Sequence, residues 1–377
     1  MTATPNAPSA SPRAGAVGPD HGAAVLDVHG LTIRLEDAGS AEIALVQRQL
    51  PGVQPAPVAG SPEVVVRFVR SVAPQGTVHR FGSDLVDDDG IVLVRRGRGR
   101  PARARLRLDR DPVEVVCERH GREVPGLVTA IRMAALHRGF LPLHAVAFRH
   151  RGVGFVATGW SGSGKTAVLL AMLAAGAVPV AAEWVLVDPD GRELLGIPQP
   201  VRIKPSHTRR WPDLTASTRA TMTASRRVLA AVRPALRRIA TLNAALEGAL
   251  HVDVSFTRLA SEVGTRPDAP SAPFDVVLLL DDADVPTTRV ERVGAEHAIE
   301  RIAVGLEHDL DDWRDARRML RYAWARPVPD PLGIDAADRV HRELLARHLA
   351  TRPAFAVYHR QPTPFHALRE AAEQAIA

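Results

Sequence analysis

The spacing of apolar and polar positions changes character along the chain. From residue 25 to about 125 it is strand-like. "SPEVVVRFVRSV" (61–72) and "GIVLVRRG" (90–97) are short apolar runs, and "ARARLRLD" (102–109) alternates with period two. That alternation puts Arg103, Arg105 and Arg107 on one strand face, read as a solvated face with a binding surface as the sharper alternative. The spacing turns helical in "PGLVTAIRMAALHRGF" (125–140), where Leu127, Ile131, Ala134 and Ala135 share a stripe, Pro125 stands near the start and Gly139 near the end.

Beyond residue 140 strands and helices alternate. The pattern predicts a strand through His144 to Phe148, a turn at Arg151–Gly152 and a strand over 153–158. A glycine-rich loop, a helix over 165–175 closed by Gly176, and a strand over about 178–187 follow. "DPDG" (188–191) carries proline second and glycine fourth, the signature of a type I turn, and predicts a hairpin. Residues 206–260 read as an arginine-rich helical insertion in which Val228, Val232, Leu236, Ile239 and Leu246 fall at helical spacing and Pro234 divides the element. "FDVVLLLDD" (274–282) is a buried strand ending in two acids. "TTRVERV" (287–293) reads as a strand, "AEHAIERIAVGL" (295–306) as the start of a helix, and helix 336–349, "AFAVYH" (354–359) and a last helix complete the chain. The organisation expected is therefore a flexible tail over 1–24, a β-rich region over 25–125, and an α/β domain over 126–377 carrying the insertion; no internal repeat is visible.

The loop between the strand at 153–158 and the helix at 165 carries the chemistry. Gly159, Trp160, Ser161, Gly162, Ser163, Gly164, Lys165 and Thr166 match G-x-x-x-x-G-K-[ST], the Walker A phosphate loop, with Ala167 following in the first helical turn. Glycines let backbone N–H groups converge on phosphate oxygens, and a helix N-terminus adds about half a positive charge. Lys165 is placed to meet the β- and γ-phosphates of ATP, and Thr166 to offer its hydroxyl to Mg²⁺.

Composition sharpens this reading. The 377 residues carry a formal charge of +6, but Lys165 and Lys204 are the only lysines among 48 basic residues. Such a skew reflects codon bias more than a polyanion-binding surface, so nucleic acid is not the expected partner. Against that background a lysine in the loop is informative, since a compact ammonium suits a niche between phosphates and a planar guanidinium does not. One cysteine, Cys117, excludes an intrachain disulfide and a cysteine-built zinc site. The opening "MTATPNAPSASPRAGAVGPDHG" reads as a flexible Ala/Pro/Ser tail without the basic and apolar regions of a secretion signal, and the longest uncharged stretch, 166–182, falls short of the ~20 residues that span a bilayer. A cytoplasmic protein is the expectation.

Taken together, "LPLHAVAF", "GWSGSGKT" and an acidic residue about eighteen positions past the lysine resemble the HPr kinase/phosphorylase superfamily, and in particular its shorter bacterial relatives, the HPr-kinase-like serine kinases. "GIPQPVRIKP", "FDVVLLLDD" and "AFAVYH" are similar to that group as well. The resemblance is strong over roughly 126–205, weaker over 270–360, and absent from the N-terminal hundred residues. It implies a P-loop kinase core of the HPr kinase/phosphoenolpyruvate carboxykinase type, Mg²⁺-ATP as donor, and a serine hydroxyl on a protein, peptide or small molecule as acceptor. Homo-oligomers occur among such relatives.

Residue by residue, His144 matches the histidine of the strand before the loop, and Glu183, at the end of an apolar strand, matches the second of two paired acids. The resemblance therefore implies His144, Lys165 and Glu183 as catalytic residues and Thr166 with Glu183 as metal ligands. Ala182 stands where the first acid, the acceptor of the substrate proton, is expected. A nucleotide-binding regulator with weakened catalysis is therefore an alternative, and a P-loop ATPase, supported only by the arginine-rich 226–238, is another; no "LSGGQ"-like signature accompanies the loop. Among other acids, Asp281 is the generic place for a metal-holding carboxylate and otherwise a solvated strand end, while Asp188 and Asp190 read as turn formers. Arg202 and Lys204 could reach phosphate from a neighbouring strand, or simply face water.

Overall fold

The computed structural model describes residues 22–53, 55–57, 60–95, 101–107, 112–204, 252–262, 271–328 and 334–376. The first eight strands are β1 (Gly22–Val28), β2 (Leu31–Ala38), β3 (Val64–Val69), β4 (His79–Phe81), β5 (Asp84–Asp87), β6 (Gly90–Arg95), β7 (Ala102–Arg107) and β8 (Val113–Glu118). They form one mixed sheet in the order β1-β2-β3-β8-β7-β6-β5-β4, with β2, β3 and β8 running parallel. A helix that the strand-like reading of 25–125 does not contain, α1 (Ser40–Gln49), carries the chain from β2 towards β3. Its first turn is closed by the buried Glu42, whose carboxylate accepts the Gly39 N–H at 2.9 Å.

The second sheet holds the glycine-rich loop. After α2 (Leu127–His137) come β9 (Leu141–His150), β10 (Val153–Thr158), α3 (Lys165–Ala174), β11 (Val178–Ala181), β12 (Trp184–Val187) and β13 (Glu193–Gly196). A two-stranded ribbon of β14 (Val201–Ile203) and β15 (Val252–Val254) lies beyond, then α4 (Phe256–Glu262), β16 (Ser271–Pro273), β17 (Val276–Asp282) and β18 (Arg289–Val293). Three helices follow, α5 (Ala295–Asp309), α6 (Asp311–Trp324) and α7 (Ile334–Leu349), and β19 (Ala354–His359) and α8 (Phe365–Gln374) end the described chain. The order across the sheet is β16-β13-β12-β9-β10-β17-β19-β18, with β11 paired to β9, and β17 runs parallel to both β10 and β19. The protein is thus mixed α/β, with two large mixed sheets and, among the described residues, eight helices.

Two-sided burial explains the unbroken apolar runs of the central strands. Phe155 and Ala157 of β10, with Leu278 and Leu280 of β17, face α3 and α8 in one core. Val156, Val277 and Leu279 point the other way, into a second core with α2, α5 and α7. That second core also takes in Ile33, Val66 and Val115 of the first sheet, so one apolar interior joins the two sheets around α2.

Three expectations are revised. Arg103, Arg105 and Arg107 share a face, but it is not solvated. Arg105 is 3% exposed and binds both carboxylate oxygens of the buried Asp87, at 2.6 and 2.7 Å; Arg103 donates to the Val72 carbonyl, and Arg107 pairs with Asp89. The segment 71–76 covers this face and supplies its carbonyls. Second, the expected strand over 178–187 is two strands broken at Ala182–Glu183. Third, within the expected helical insertion residues 252–254 form a strand paired with β14; positions 205–251, with Val228, Val232, Pro234, Leu236, Ile239 and Leu246, lie outside the described residues, as does the tail before Gly22.

The hairpin at "DPDG" is present: β12 and β13 pair antiparallel, and the Gly191 N–H donates to the Asp188 carbonyl at 2.9 Å. The Asp188 side chain accepts the N–H groups of Arg192 and Glu193, the turn-forming duty read from the sequence. Trp324, at the end of α6, ties the helices to the first sheet through its Nε1–H, which donates to the Asp87 carbonyl at 2.8 Å. Trp324→Phe removes that bond and is expected to lower unfolding stability by about 1 kcal/mol in a urea titration, leaving nucleotide binding unchanged.

Candidate nucleotide site

The loop from Gly159 to Lys165 joins β10 to α3 and could not take its path without glycine at two points. Gly159 has φ +155°, and a Cβ there would overlap the Leu280 carbonyl of β17. Gly164, which caps α3, has φ +96°, and a Cβ would stand 2.9 Å from Cε1 of His359. A clamp from the segment after β19 holds the loop from outside: His359 Nε2 bonds the Ser163 carbonyl at 2.9 Å, and the Gln361 amide donates to the Gly162 carbonyl. Asp282, one of the two acids ending β17, accepts the Gln361 N–H at 2.9 Å and so steadies the clamp. Asp281 pairs with Arg301 of α5 at 3.2 Å, and neither acid lines the hollow that holds Lys165.

That hollow, about 330 Å³, is lined by Ser161 through Thr166, Ala182, Glu183, Arg202, Lys204, Gln361 and His144. The sequence-predicted lysine, threonine and glutamate are thus brought together; Arg202 of β14, exposed and 3.8 Å from Asp253, and Lys204 just past that strand line the same hollow. Ala167 is buried under the loop in the first turn of α3, and Gly159 and Trp160 line a neighbouring cavity. Glu183 does not end a strand. It sits on the break between β11 and β12, where one strand pairs with the second half of β9 and the other with the first half, and its carbonyl accepts the Ala145 N–H at 3.0 Å. This break aims the carboxylate beside the loop.

The ammonium of Lys165 donates to the Gly159 carbonyl at 2.7 Å and approaches that of Trp160 at 3.4 Å. Burial pushes its pKa below the ordinary lysine value, while Asp309 and Glu183 oppose the shift. Burial would raise the Glu183 carboxyl, but His144, Arg202 and Lys165 outweigh it and hold it below the usual glutamate range. His144 lies between two acids. Its Nε2 is 3.8 Å from Glu183, an ion-pair distance, and its Nδ1 is hydrogen-bonded to Asp309 at 2.9 Å. Burial favours the neutral imidazole, yet those two carboxylates prevail and raise its pKa.

Asp309 is the site residue that sequence reasoning missed. It is the last residue of α5, where the helix dipole disfavours a carboxylate, and that is the one hint in the sequence. The acids Asp311 and Asp312 that open α6 make it read as part of an N-terminal acidic turn.

Beneath the site His144 stacks on Trp184, ring centroids 4.8 Å apart, and the guanidinium of Arg132 lies 3.3 Å from the Trp184 ring centroid. Arg132 is buried with its Nε unpaired, and burial pushes its pKa down to about 9 against the opposing charge of Asp309. On the other side of the loop a cavity of about 460 Å³ opens between Gly159–Ser161 and α5, and His144 and Ser161 line both spaces. Trp160 stands at its mouth, 55% exposed and stacked on His308. Gly305, inside α5, costs the helix about 1 kcal/mol relative to alanine, and nothing lies within 4 Å of where its Cβ would be.

Among the described residues no group of three or more His, Cys, Asp or Glu side chains forms a cation cage, and no helix is long and apolar enough to cross a membrane. The donor set of Thr166 and Glu183 fits Mg²⁺, which usually takes one or two protein ligands and completes its shell with phosphate oxygens and water. Compared with protein-family models and with curated proteins, the chain matches none of either.

Proposed function

We propose that the protein is an ATP-dependent kinase of the HPr-kinase-like type, transferring the γ-phosphoryl group of ATP to a serine hydroxyl. One observation carries the reading: Lys165, Thr166 and Glu183, 18 residues apart at the extremes, line one hollow with the loop amides. In this reading the amides of Gly162 to Lys165 bind the phosphates, and Lys165, Arg202 and Lys204 balance their charge. Thr166 and Glu183 would hold Mg²⁺, which when bound would supply further neutralisation of phosphate charge. The acceptor oxygen bonds to the γ-phosphorus as the bond to the β–γ bridging oxygen breaks. ADP leaves with the electron pair, and the hydroxyl proton passes to Glu183, which His144 and Asp309 hold in place. Phosphoryl transfer depends chiefly on positioning and charge, so one carboxylate in two roles is compatible with turnover.

The test is incubation with γ-labelled ATP and serine-bearing peptides and carrier proteins. Label on a hydroxyl is the expected result; bound ATP with no transfer to any acceptor counts against it. A second reading, a nucleotide-binding regulator, is favoured by Ala182, which is 6% exposed on the wall of the hollow. Ala182→Asp separates the two. A several-fold rise over a measurable wild-type rate is expected for the kinase, whereas transfer appearing from nothing marks a regulator.

A further inference from the structure

We infer that the 460 Å³ cavity between the phosphate loop and α5 is the acceptor site, and that it takes an uncharged peptide segment whose serine stands beside an apolar residue. The inference rests on the kinase reading and deepens it. The direction of Lys165 sets the geometry. Its ammonium, the group that meets the β- and γ-phosphates in such loops, lies against the carbonyls of Gly159 and Trp160. The transferable end of the triphosphate therefore comes to that edge of the loop, and this cavity begins there; His144, which lines both spaces and stands 3.8 Å from Glu183, marks where the serine hydroxyl meets that carboxylate.

Its chemistry selects the occupant. Leu279, Ile302 and Leu306 make the floor. The charged side chains of the wall already hold partners: Asp309 holds His144, Arg301 holds Asp281, Glu300 holds Arg342 and His308 holds Asp311. A ligand charge would find no uncommitted counter-charge, so the complementary ligand is neutral. The mouth is apolar as well. Trp160 and Val304 are two of the four large hydrophobic side chains exposed among the described residues, and both border this cavity. A rim of that kind extends contact beyond the cavity, which suits a chain carrying the hydroxyl and not free serine. Gly305 keeps the space open, since its missing side chain relieves no packing clash.

The test uses the full chain saturated with ADP and a fluorescein-labelled neutral peptide whose single serine is flanked by leucines. Anisotropy is expected to show binding about tenfold tighter than for the same peptide with aspartates or arginines in place of the leucines, and no displacement by free serine. Gly305→Leu fills the cavity and is expected to weaken the leucine peptide by about tenfold or more, with ADP affinity by calorimetry unchanged. Val304→Asp, an exposed position that cannot disturb the core, is expected to weaken it several-fold. Equal binding of all peptides, displacement by serine, no binding of the leucine peptide, or unaltered binding by both variants overturns the inference. Failure of ADP itself to bind the wild-type protein overturns instead the nucleotide reading beneath it.

Discussion

Lys165→Ala is expected to weaken ATP binding about 100-fold while leaving the circular dichroism spectrum unchanged. Hydrogen bonds to charged groups contribute about 1.5–3 kcal/mol each, and every 1.4 kcal/mol is a factor of ten. The side chain is half-buried, so water screens it less than a fully exposed charge. Part of any loss could instead come from the loop, because the same ammonium bonds the carbonyls of Gly159 and Trp160. Lys165→Met separates the contributions, since it keeps the length of the side chain and removes only the charge and the donors. Lys165→Arg is expected to recover little affinity, because a planar guanidinium does not fit the niche an ammonium fills. Lys204→Ala and Arg202→Ala, further out on the β14 ribbon, are expected to cost only a few-fold each. Calorimetry with ATP and Mg²⁺ reads all five; wild-type affinity in Lys165→Ala would end the phosphate-loop assignment.

How much of this could be read beforehand depended on whether the information was local. The glycine-rich loop is written in eight consecutive residues, and the runs on either side place it between a strand and a helix, as β10 and α3 are. "DPDG" likewise contains its own turn. What escaped reading lies in the third dimension. The hydrogen bond from His144 to Asp309 joins residues 165 apart, and nothing near either one announces the other. Period-two spacing put Arg103, Arg105 and Arg107 on one face but carries no information on whether another segment covers that face, and Asp87 with residues 71–76 does so. The break at Ala182–Glu183 is hidden for a related reason. Apolar residues continue through it, and β9 pairs with both halves in one register, Ala181 opposite Ala147 and Trp184 opposite His144, so nothing in the spacing marks the interruption. α1 was missed because Leu45 and Val46 are too few to outweigh the strand-like character of their surroundings.

Glu183→Gln is expected to lower phosphoryl transfer by about 10²–10⁴-fold, the range lost with a positioned general base, and to change ATP affinity far less. Glutamine keeps the shape and can still ligate through its carbonyl, so the loss should fall on kcat measured in single turnover with γ-labelled ATP, not on nucleotide binding. Asp309→Asn should cost about tenfold, because Asp309 holds the orientation of His144. The informative variant is the pair Glu183→Gln with Ala182→Asp. Residue 182 lines the same hollow one position away, on the same break between strands, so an aspartate there offers the hollow a second carboxylate. If proton acceptance is what Glu183 contributes, the double variant recovers a substantial part of the lost rate. If its contribution is chiefly to steady His144 or the metal, the neighbouring carboxylate cannot take its place, and the double variant stays as slow as Glu183→Gln.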